Sequence, residues 1–413
     1  MRQSYYAVRQ KIAIFATKKQ SNVIPDKETA QFIKEHRNDD VRILALQAAR
    51  YPAIDIRAAA TQIEGWQLAK SKLPAWSKVE GIVYPVRLSM EQCSSEETAQ
   101  YKASLITGDT LADLTGGFGI DCSYMSAGRI KSIYIERNEE LCAIASHNFS
   151  LLGLKQIEII NGNSQDILPS LPHCSWIFID PARRSESGHK VVALGDCEPD
   201  VTILQDILLK RADNIMIKCS PMLDITAACR SLRQVSEVHI VAVNNECKEL
   251  LFILSHENKG TKITCVNITG GVRQQFSYDI SEESRNSVRL SQNIGKYLYE
   301  PNAAIQKAGA GSILSSRYNI DKLHPNSQLY TSQEHIPEFP GRRFIVEEVA
   351  GFAKKELKAL LNNAEQANIT VRNFPESVQT LRKRLKIAEG GDIYLFATTL
   401  ADNSKVIVKC RKA

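Results

Sequence analysis

The 413-residue sequence has no CxxC pair, no Cys/His spacing typical of a zinc site, and no apolar run long enough to span a membrane. Its ten cysteines are scattered singly, which argues against a disulfide framework and predicts reduced thiols in a cytoplasmic protein. The first residues carry basic side chains and only a weak apolar patch, so we expect no signal peptide. The eight histidines show no HxH or HExxH spacing, which argues against metal catalysis.

The composition is that of a soluble globular protein, with 43% hydrophobic and 24% charged residues, and the length predicts two or three domains. Residues 341–413 contain 14 Lys or Arg and 8 Asp or Glu, a net charge of +6. The other 340 residues contain 38 basic and 38 acidic residues and are therefore neutral. A basic terminal module on a neutral body predicts a polyanionic partner, with a solvated lysine-rich surface as the alternative.

Changes of pattern divide the chain. Residues 1–100 are predicted to be mainly helical, with one helix beginning at Ser94 or Ser95, where a serine cap and a glutamate fit a capping box. Residues 101–257 alternate short apolar runs with helix-like stretches, which predicts an α/β fold with a mainly parallel sheet. The last two of these strands are joined only by NNECKE, short enough for an antiparallel pair. Two smaller α+β regions are predicted at 258–336 and 337–413.

The stretch DLTGGFGID, residues 113–121, ends the first predicted strand and enters a helix. Parallel α/β sheets bind ligands at the carboxyl ends of their strands, beside the first crossover. Gly116, Gly117 and Gly119 would let the backbone turn tightly and approach a ligand. Taken alone, the loop fits equally well a turn that needs glycine only for its geometry.

The next strand ends also carry polar residues. Glu136 ends the second strand, 23 residues after Asp113, where an acidic side chain can accept hydrogen bonds from ribose hydroxyls. Asn163 and Asp166 follow the third strand, where they could meet the edge of a base, and the fourth strand ends at Asp180. Such features at four successive strand ends favour a nucleotide-like ligand over coincidence.

Two ligand classes fit this arrangement. A dinucleotide site is typically built on G-x-G-x-x-G, which brings a pyrophosphate onto a helix N-terminus. Here the spacing is G-G-x-G, and the carboxylates of Asp113 and Asp121 flank it. They would repel a pyrophosphate but suit a ligand with an amino group and a sulfonium. Together with the antiparallel strand pair, this favours S-adenosylmethionine and leaves an NAD-linked enzyme as a weaker alternative.

At these motifs the sequence resembles the class I S-adenosylmethionine-dependent methyltransferases, specifically the bacterial group with a C-terminal THUMP-like domain. The matching stretches are GDTLADLTGGFGID, YIERN, DPARR, VALGDCEPDV, IKCSPMLD and YEPNAAIQKAG, and the resemblance covers most of the chain from about Tyr51 onward. It implies a Rossmann-like methyltransferase domain at 101–257, a small ferredoxin-like connecting region at 258–336 and a THUMP-like domain at 337–413. THUMP domains bind RNA, so it also implies a structured rRNA or tRNA as partner.

The same resemblance implies a donor site. The segment from Asp113 to Gly119, which includes Thr115, would hold the methionine moiety, Glu136 the ribose, and Asn163 to Asp166 the surroundings of the adenine. Asp121 and Arg137 complete the predicted set of donor-binding residues.

The acceptor side is predicted after the fourth strand, where the chain reads Asp180-Pro181-Ala182-Arg183-Arg184. Amine methyltransferases resemble one another in an N/D-P-P-aromatic stretch here, whose carboxylate or amide accepts from the target amine while the ring stacks on the base. This chain keeps the acceptor, lacks the second proline and has arginine in place of the aromatic residue. A guanidinium can also stack on a base or grip a phosphate. We therefore expect Asp180, Pro181, Arg183 and Arg184 to form the catalytic site, with a surface ion pair as the alternative for the arginines.

Cys219 offers a different chemistry. RNA uracil-C5 methyltransferases have D-P-P-R after strand four and S-C-N-P after strand five, and their cysteine attacks the base. Cys219-Ser220-Pro221 is similar in layout, and neighbouring Lys218 could favour the reactive thiolate. An inert buried thiol is the favoured interpretation.

The sequence thus predicts methyl transfer from S-adenosylmethionine to a nucleophilic atom of RNA, without metal or membrane. One alternative is a methyltransferase for a small molecule or a protein, whose basic module serves assembly. Another is a non-catalytic RNA-binding protein with a decayed donor pocket.

Overall fold

The computed structural model describes residues 23–183, 193–257, 260–362 and 364–413. The chain divides into two compact units, the first comprising Met1–Val235 and Leu251–Asn258 and the second Ser236–Leu250 and Lys259–Ala413. No helix within the described ranges is long and apolar enough to cross a membrane.

The first unit begins with helices, as predicted. They are α1 Lys27–His36, α2 Val41–Leu46, α3 Ile56–Lys72, α4 Arg87–Gln92 and α5 Glu96–Leu105. The predicted serine cap of α5 is Ser95, whose hydroxyl accepts from the Thr98 amide at 3.3 Å. The third helical position is thus Thr98, so the expected glutamate capping box does not form. Ser94 is left for another contact, described below.

The predicted alternation of strands and helices in the first unit is confirmed. The strands are β1 Thr110–Asp113, β2 Lys131–Glu136, β3 Ile157–Asn161, β4 Cys174–Ile179, β5 Ala182–Arg183, β6 Cys197–Glu198 and β7 Ala212–Cys219. The helices are α6 Ile120–Met125, α7 Glu139–Leu151, α8 Ser164–Ile167, α9 Val201–Arg211 and α10 Ile225–Ser231.

Five of these strands form a parallel sheet in the order β7-β4-β1-β2-β3. Its inner strands are apolar runs because parallel strands are covered on both faces: Leu111, Ala112, Ile177 and Ile179 are completely buried. β5 and β6 form a separate antiparallel pair. Because all five strands run the same way, their carboxyl ends share one edge, which brings together the residues predicted to be functional.

The predicted hairpin follows, and its residues 236–250 belong to the second unit. β8 Val235–Val243 and β9 Glu246–Ser255 are joined by two residues, Asn244 and Asn245, with φ of 50° and 62°. Two such residues form a tight turn between antiparallel strands, which confirms the antiparallel last strand. β10 Lys262–Thr269 is parallel to β8, and β11 Val272–Asp279 is antiparallel to β10.

The rest of the second unit is a seven-stranded sheet in the order β13-β14-β12-β15-β18-β17-β16. Its strands are β12 Tyr297–Pro301, β13 Asp321–Lys322, β14 Tyr330–Ser332, β15 Gly341–Gly351, β16 Asn368–Arg372, β17 Tyr394–Thr399 and β18 Lys405–Lys412. Its helices are α11 Ala303–Ala308, α12 Gly311–Tyr318, α13 Lys354–Leu361 and α14 Val378–Leu385. β16 and β17 pair in parallel around the crossover helix α14, and the α+β pattern predicted for the final module is confirmed.

Candidate active site

The loop after β1 is tied to the ends of the neighbouring strands. Asp113 Oδ1 accepts from the Thr115 amide at 3.0 Å, and Thr115 Oγ1 accepts from the Asp180 amide at 2.7 Å. The Gly117 amide donates to Glu136 Oε2 at 2.9 Å. The loop therefore links Asp113, Asp180 and Glu136, which the sequence placed at the ends of β1, β4 and β2.

The three glycines of this loop serve different purposes. A Cβ on Gly116 would lie 2.1 Å from the Tyr134 ring, and one on Gly119 would lie 2.7 Å from the Phe149 ring. Gly117 has φ of +54° and nothing closer to an added Cβ than a backbone oxygen at 3.8 Å. Gly116 and Gly119 thus let the loop pack closely on aromatic rings, whereas Gly117 leaves open space in which a ligand can approach the backbone.

Asp113 contains a buried hydrogen-bond acceptor without a hydrogen-bond donor in the described part of the chain. Its side chain is almost completely buried, and Oδ2 receives no hydrogen bond from the described residues. Burial raises the pKa of Asp113 well above its usual value, and the nearby carboxylates of Asp121, Asp180 and Glu136 add to the effect. An unsatisfied buried oxygen is costly in the ligand-free protein. A ligand ammonium would satisfy the oxygen and favour the charged carboxylate.

Asp121, in the first turn of α6, is surrounded by protein partners that the sequence did not indicate. Ser94 Oγ donates to Oδ2 at 2.7 Å, Lys102 Nζ lies 3.2 Å from Oδ1, and Lys218 Nζ lies 3.8 Å from Oδ2. Burial alone would raise the pKa of Asp121, but Lys102 and Lys218, with the Ser94 hydrogen bond, outweigh burial and lower it. Both carboxylate oxygens of Asp121 thus face cations of the protein.

Lys218 connects Asp121 to Asp180, the predicted acceptor residue. Its Nζ donates to Asp180 Oδ2 at 2.5 Å, and the Asp180 side chain keeps 37% exposure. Charges therefore alternate from the completely buried Lys102 through Asp121 and Lys218 to Asp180. Sequence reasoning missed Lys102, although its position three residues after the buried Ala99 puts a lysine on the inner face of α5.

The remaining donor-site candidates lie at the ends of β2 and β3. Glu136 Oε1 accepts a second backbone amide, that of Asn138, at 2.8 Å. Arg137 lies 3.0 Å from Glu198 in an exposed ion pair. Asn163 is exposed and caps α8 through its side-chain oxygen, and Asp166 is exposed in the first turn of that helix. Glu136 is thus in contact with the glycine loop, whereas the other three lie on the surface.

On the acceptor side, Pro181 follows Asp180 directly and leads into β5. The backbone of Arg183 is in β5, where it is paired with Cys197. The side chain of Arg183 and all of Arg184 lie outside the described residues, so their predicted roles stay predictions.

Cys219 ends β7 with 9% exposure. Burial raises the pKa of its thiol well above the usual value, Asp180 and Cys197 raise it further, and Lys218 opposes them only in part. The thiol form is therefore strongly favoured, which argues against the nucleophilic cysteine of the uracil-C5 alternative. Within the described ranges, no group of three or more His, Cys, Asp or Glu side chains could hold a metal ion.

Comparison with protein families matches residues 341–412 to a THUMP domain-like family and residues 297–340 to a ferredoxin-like domain. A candidate methyltransferase from Porphyromonas gingivalis W83, whose crystal structure is known, is 38% identical. The match covers 95% of this chain and 100% of that one, with a TM-score of 0.85. The chain therefore belongs to a family of methyltransferases with a C-terminal THUMP-like domain.

More distant structures match over part of the chain. A candidate RNA methyltransferase from Pyrococcus horikoshii is 17% identical over 36% of this chain and 72% of that one, with a TM-score of 0.27. An rRNA methylase from Streptococcus thermophilus is 13% identical over 38% and 94%, with a TM-score of 0.28. Similarity at this level says nothing about the substrate of this chain. No curated protein sequence matches it.

Proposed function

We propose that this methyltransferase takes its methyl group from S-adenosylmethionine and transfers it to RNA in the cytoplasm. The observation that carries the donor assignment is the unsatisfied, buried Oδ2 of Asp113, and the loop that follows Asp113 leaves open space at Gly117. A ligand amino group would satisfy that oxygen, whereas a pyrophosphate would meet carboxylates at this loop. For the compartment, the support is that all ten cysteines are described and none is in a disulfide.

The residues at the sheet edge fit S-adenosylmethionine. Asp113 would bind its ammonium, Glu136 its ribose hydroxyls, and Asn163 and Asp166 would lie near its adenine. When bound, this donor supplies an electrophilic methyl group on a sulfonium. Asp121 lies between the ammonium groups of Lys102 and Lys218, so we assign it to holding Lys218 rather than to the donor.

On the acceptor side, Asp180 would accept a hydrogen bond from the N–H or O–H of the substrate and so orient the lone pair of the nucleophile. Fixing the acceptor in line for reaction is the main contribution such a site can make. The Lys218 hydrogen bond at 2.5 Å restrains one Asp180 oxygen, and the partial exposure of the side chain leaves it accessible to a substrate. Arg183 and Arg184 would hold a base or a phosphate.

RNA is proposed as the acceptor because of the second unit. Residues 341–412 match a THUMP domain-like family, THUMP domains bind RNA, and residues 341–413 carry the whole net charge of +6. A polyanionic substrate predicts RNA affinity that falls steeply as salt rises. A methyltransferase for a small molecule would show no such dependence.

The first test is titration calorimetry of the protein and of Asp113→Asn with S-adenosylmethionine, S-adenosylhomocysteine and NAD. We expect micromolar binding of the first two, loss of binding in the variant, and none of NAD. Labelled donor and unmodified rRNA and tRNA transcripts then test transfer, which Asp180→Ala should abolish while keeping donor binding. Binding of NAD alone would overturn the donor assignment, and full transfer by Asp180→Ala would overturn the role of that residue.

A further inference from the structure

The arginines of residues 341–413 and the lysines of the two helices in this segment differ in their contacts. The arginines are engaged with partners inside the second unit. These contacts are Arg342 and Arg372 with the buried Glu300, Arg382 with Glu389, Arg384 with Glu376, Arg411 with Glu347, and Arg343 with the carbonyl of Pro337. Each of these arginines thus already has a partner within the second unit.

Five lysines behave differently. Lys354, Lys355 and Lys358 lie on α13, and Lys383 and Lys386 lie at the end of α14. All five are exposed, and their ammonium groups have no ion pair or hydrogen bond with the described part of the chain. Their charge is therefore available to a ligand.

The two helices that carry these lysines pack on the same core. Leu357 and Leu360 of α13 and Leu381 of α14 are buried in the same hydrophobic cluster, so both helices turn their polar sides outward. The Arg384 guanidinium lies over the Phe352 ring, 4.1 Å from its centroid, just before α13 begins. The end of α14 therefore adjoins the start of α13, where the lysines are concentrated.

Three of the five positions are unfavourable for lysine in a structural role. Lys354 and Lys355 are the first two residues of α13, where the helix dipole favours acidic side chains, and Ala353 before them provides no side-chain cap. Lys386 has φ of +55°, a conformation that favours glycine or asparagine. Sequences that break local rules in this way often do so for binding rather than for stability.

We propose that the lysine surface, formed by Lys354, Lys355, Lys358, Lys383 and Lys386, is the docking site for the phosphate backbone of the RNA substrate. This inference rests on the proposed function and assigns its RNA contact to particular residues. Flexible ammonium groups neutralise phosphates as point charges and carry no sequence information. The lysine surface therefore supplies affinity. The residues at the carboxyl ends of the strands in the first unit, such as Asp180, select the nucleotide that is methylated.

The test compares two lysine variants with a charge-matched control. The first variant is Lys354→Gln/Lys355→Gln/Lys358→Gln and the second is Lys383→Gln/Lys386→Gly. The control, Lys27→Gln/Lys155→Gln/Lys210→Gln, removes three exposed lysines of the first unit. Fluorescence anisotropy with an unmodified tRNA transcript and with poly(U) gives the dissociation constant across about 50 to 200 mM salt.

Each lysine removed from the surface should lower the slope of log affinity against log salt by about 0.7 to 0.9. The triple variant should bind both RNAs at least tenfold more weakly at moderate salt, and the control should bind as the wild type does. Melting temperatures should stay close to that of the wild type, because Lys354, Lys355 and Lys386 occupy locally unfavourable positions and their loss offsets that of Lys358 and Lys383 in the last turns of their helices.

The inference is overturned if the lysine variants keep the wild-type slope and affinity. It is also overturned if the wild-type protein binds neither RNA, or binds phosphatidylserine vesicles through these lysines instead. S-adenosylmethionine binding, measured on the same preparations, is independent of the lysine surface. Its absence from the wild-type protein would contradict the proposed function without bearing on the RNA contacts.

Discussion

Replacing Asp121 with asparagine removes the negative charge between two lysines while nearly preserving the shape of the side chain. Lys102 is completely buried with its Nζ 3.2 Å from Asp121, and Lys218 lies 3.8 Å from the same carboxylate with 12% exposure. Removing one partner of a buried ion pair typically costs about 3–5 kcal/mol, because the remaining charge has been withdrawn from water. We expect the free energy of unfolding of the first unit to fall by about that amount.

Tryptophan fluorescence during urea unfolding can measure this change in the free energy of unfolding of the first unit. The three tryptophans, Trp66, Trp76 and Trp176, all lie in the first unit. Asp206→Asn is the control, because its ion pair with Arg233 has the same kind of charges but side chains that are 64% and 67% exposed. Loss of this exposed ion pair should lower the free energy of unfolding by less than about 1 kcal/mol.

Lowering the pH should abolish the difference in stability between the wild type and Asp121→Asn. Because the network lowers the pKa of Asp121 in the folded protein, its contribution is fully present above the unfolded pKa and is lost as the pH falls through the folded value. The difference in stability should therefore shrink as the pH falls below about 4. An Asp121→Asn protein no less stable than Asp206→Asn at neutral pH would refute the buried charge network.

Three further outcomes follow from the site. Because the pKa of Asp113 is raised in the folded protein, the wild type loses stability as the pH rises from about 4 through the folded pKa. Asp113→Asn should therefore become more stable relative to the wild type over that interval. Unfolding measured at several pH values would reveal this gain. Cys219→Ala should keep the transfer rate, and iodoacetamide should label Cys219 slowly at neutral pH; rapid labelling would revive the nucleophile. Gly116→Ala should cost about 1–3 kcal/mol, because its Cβ would meet the Tyr134 ring at 2.1 Å. Gly117→Asn should cost less, because asparagine tolerates positive φ; equal urea midpoints would contradict this.

The strands and the loop were predictable because they depend on local pattern. Runs such as residues 131–136 and 174–179 are apolar enough to form covered parallel strands, and the end of each strand is marked by a change to polar residues. Since parallel strands end at one edge, Asp113, Glu136 and Asp180 could be grouped without knowing any distance.

The charge network was not predictable in the same way. Lys102 and Ser94 precede the glycine loop, and only the packing of α5 against α6 brings them to Asp121. Arg137 is the opposite case, because it is next to Glu136 in sequence but forms its ion pair with the exposed Glu198. Side-chain partners follow from tertiary packing, on which the spacing of residue types gives no information. The predicted domain limits and the individual site roles stay predictions.

The division of the chain into two units has a consequence for synthesis on the ribosome. The chain leaves the first unit after Val235, contributes Ser236–Leu250 to the second, and returns with Leu251. Residues 251–255 belong to β9, the strand next to β7 in the sheet order, so the first unit is complete only when they have emerged. Domains generally fold as units during translation, N-terminal first. A nascent chain arrested with residue 245 just outside the exit tunnel should therefore hold an incomplete first unit, and about ten more residues should allow it to close.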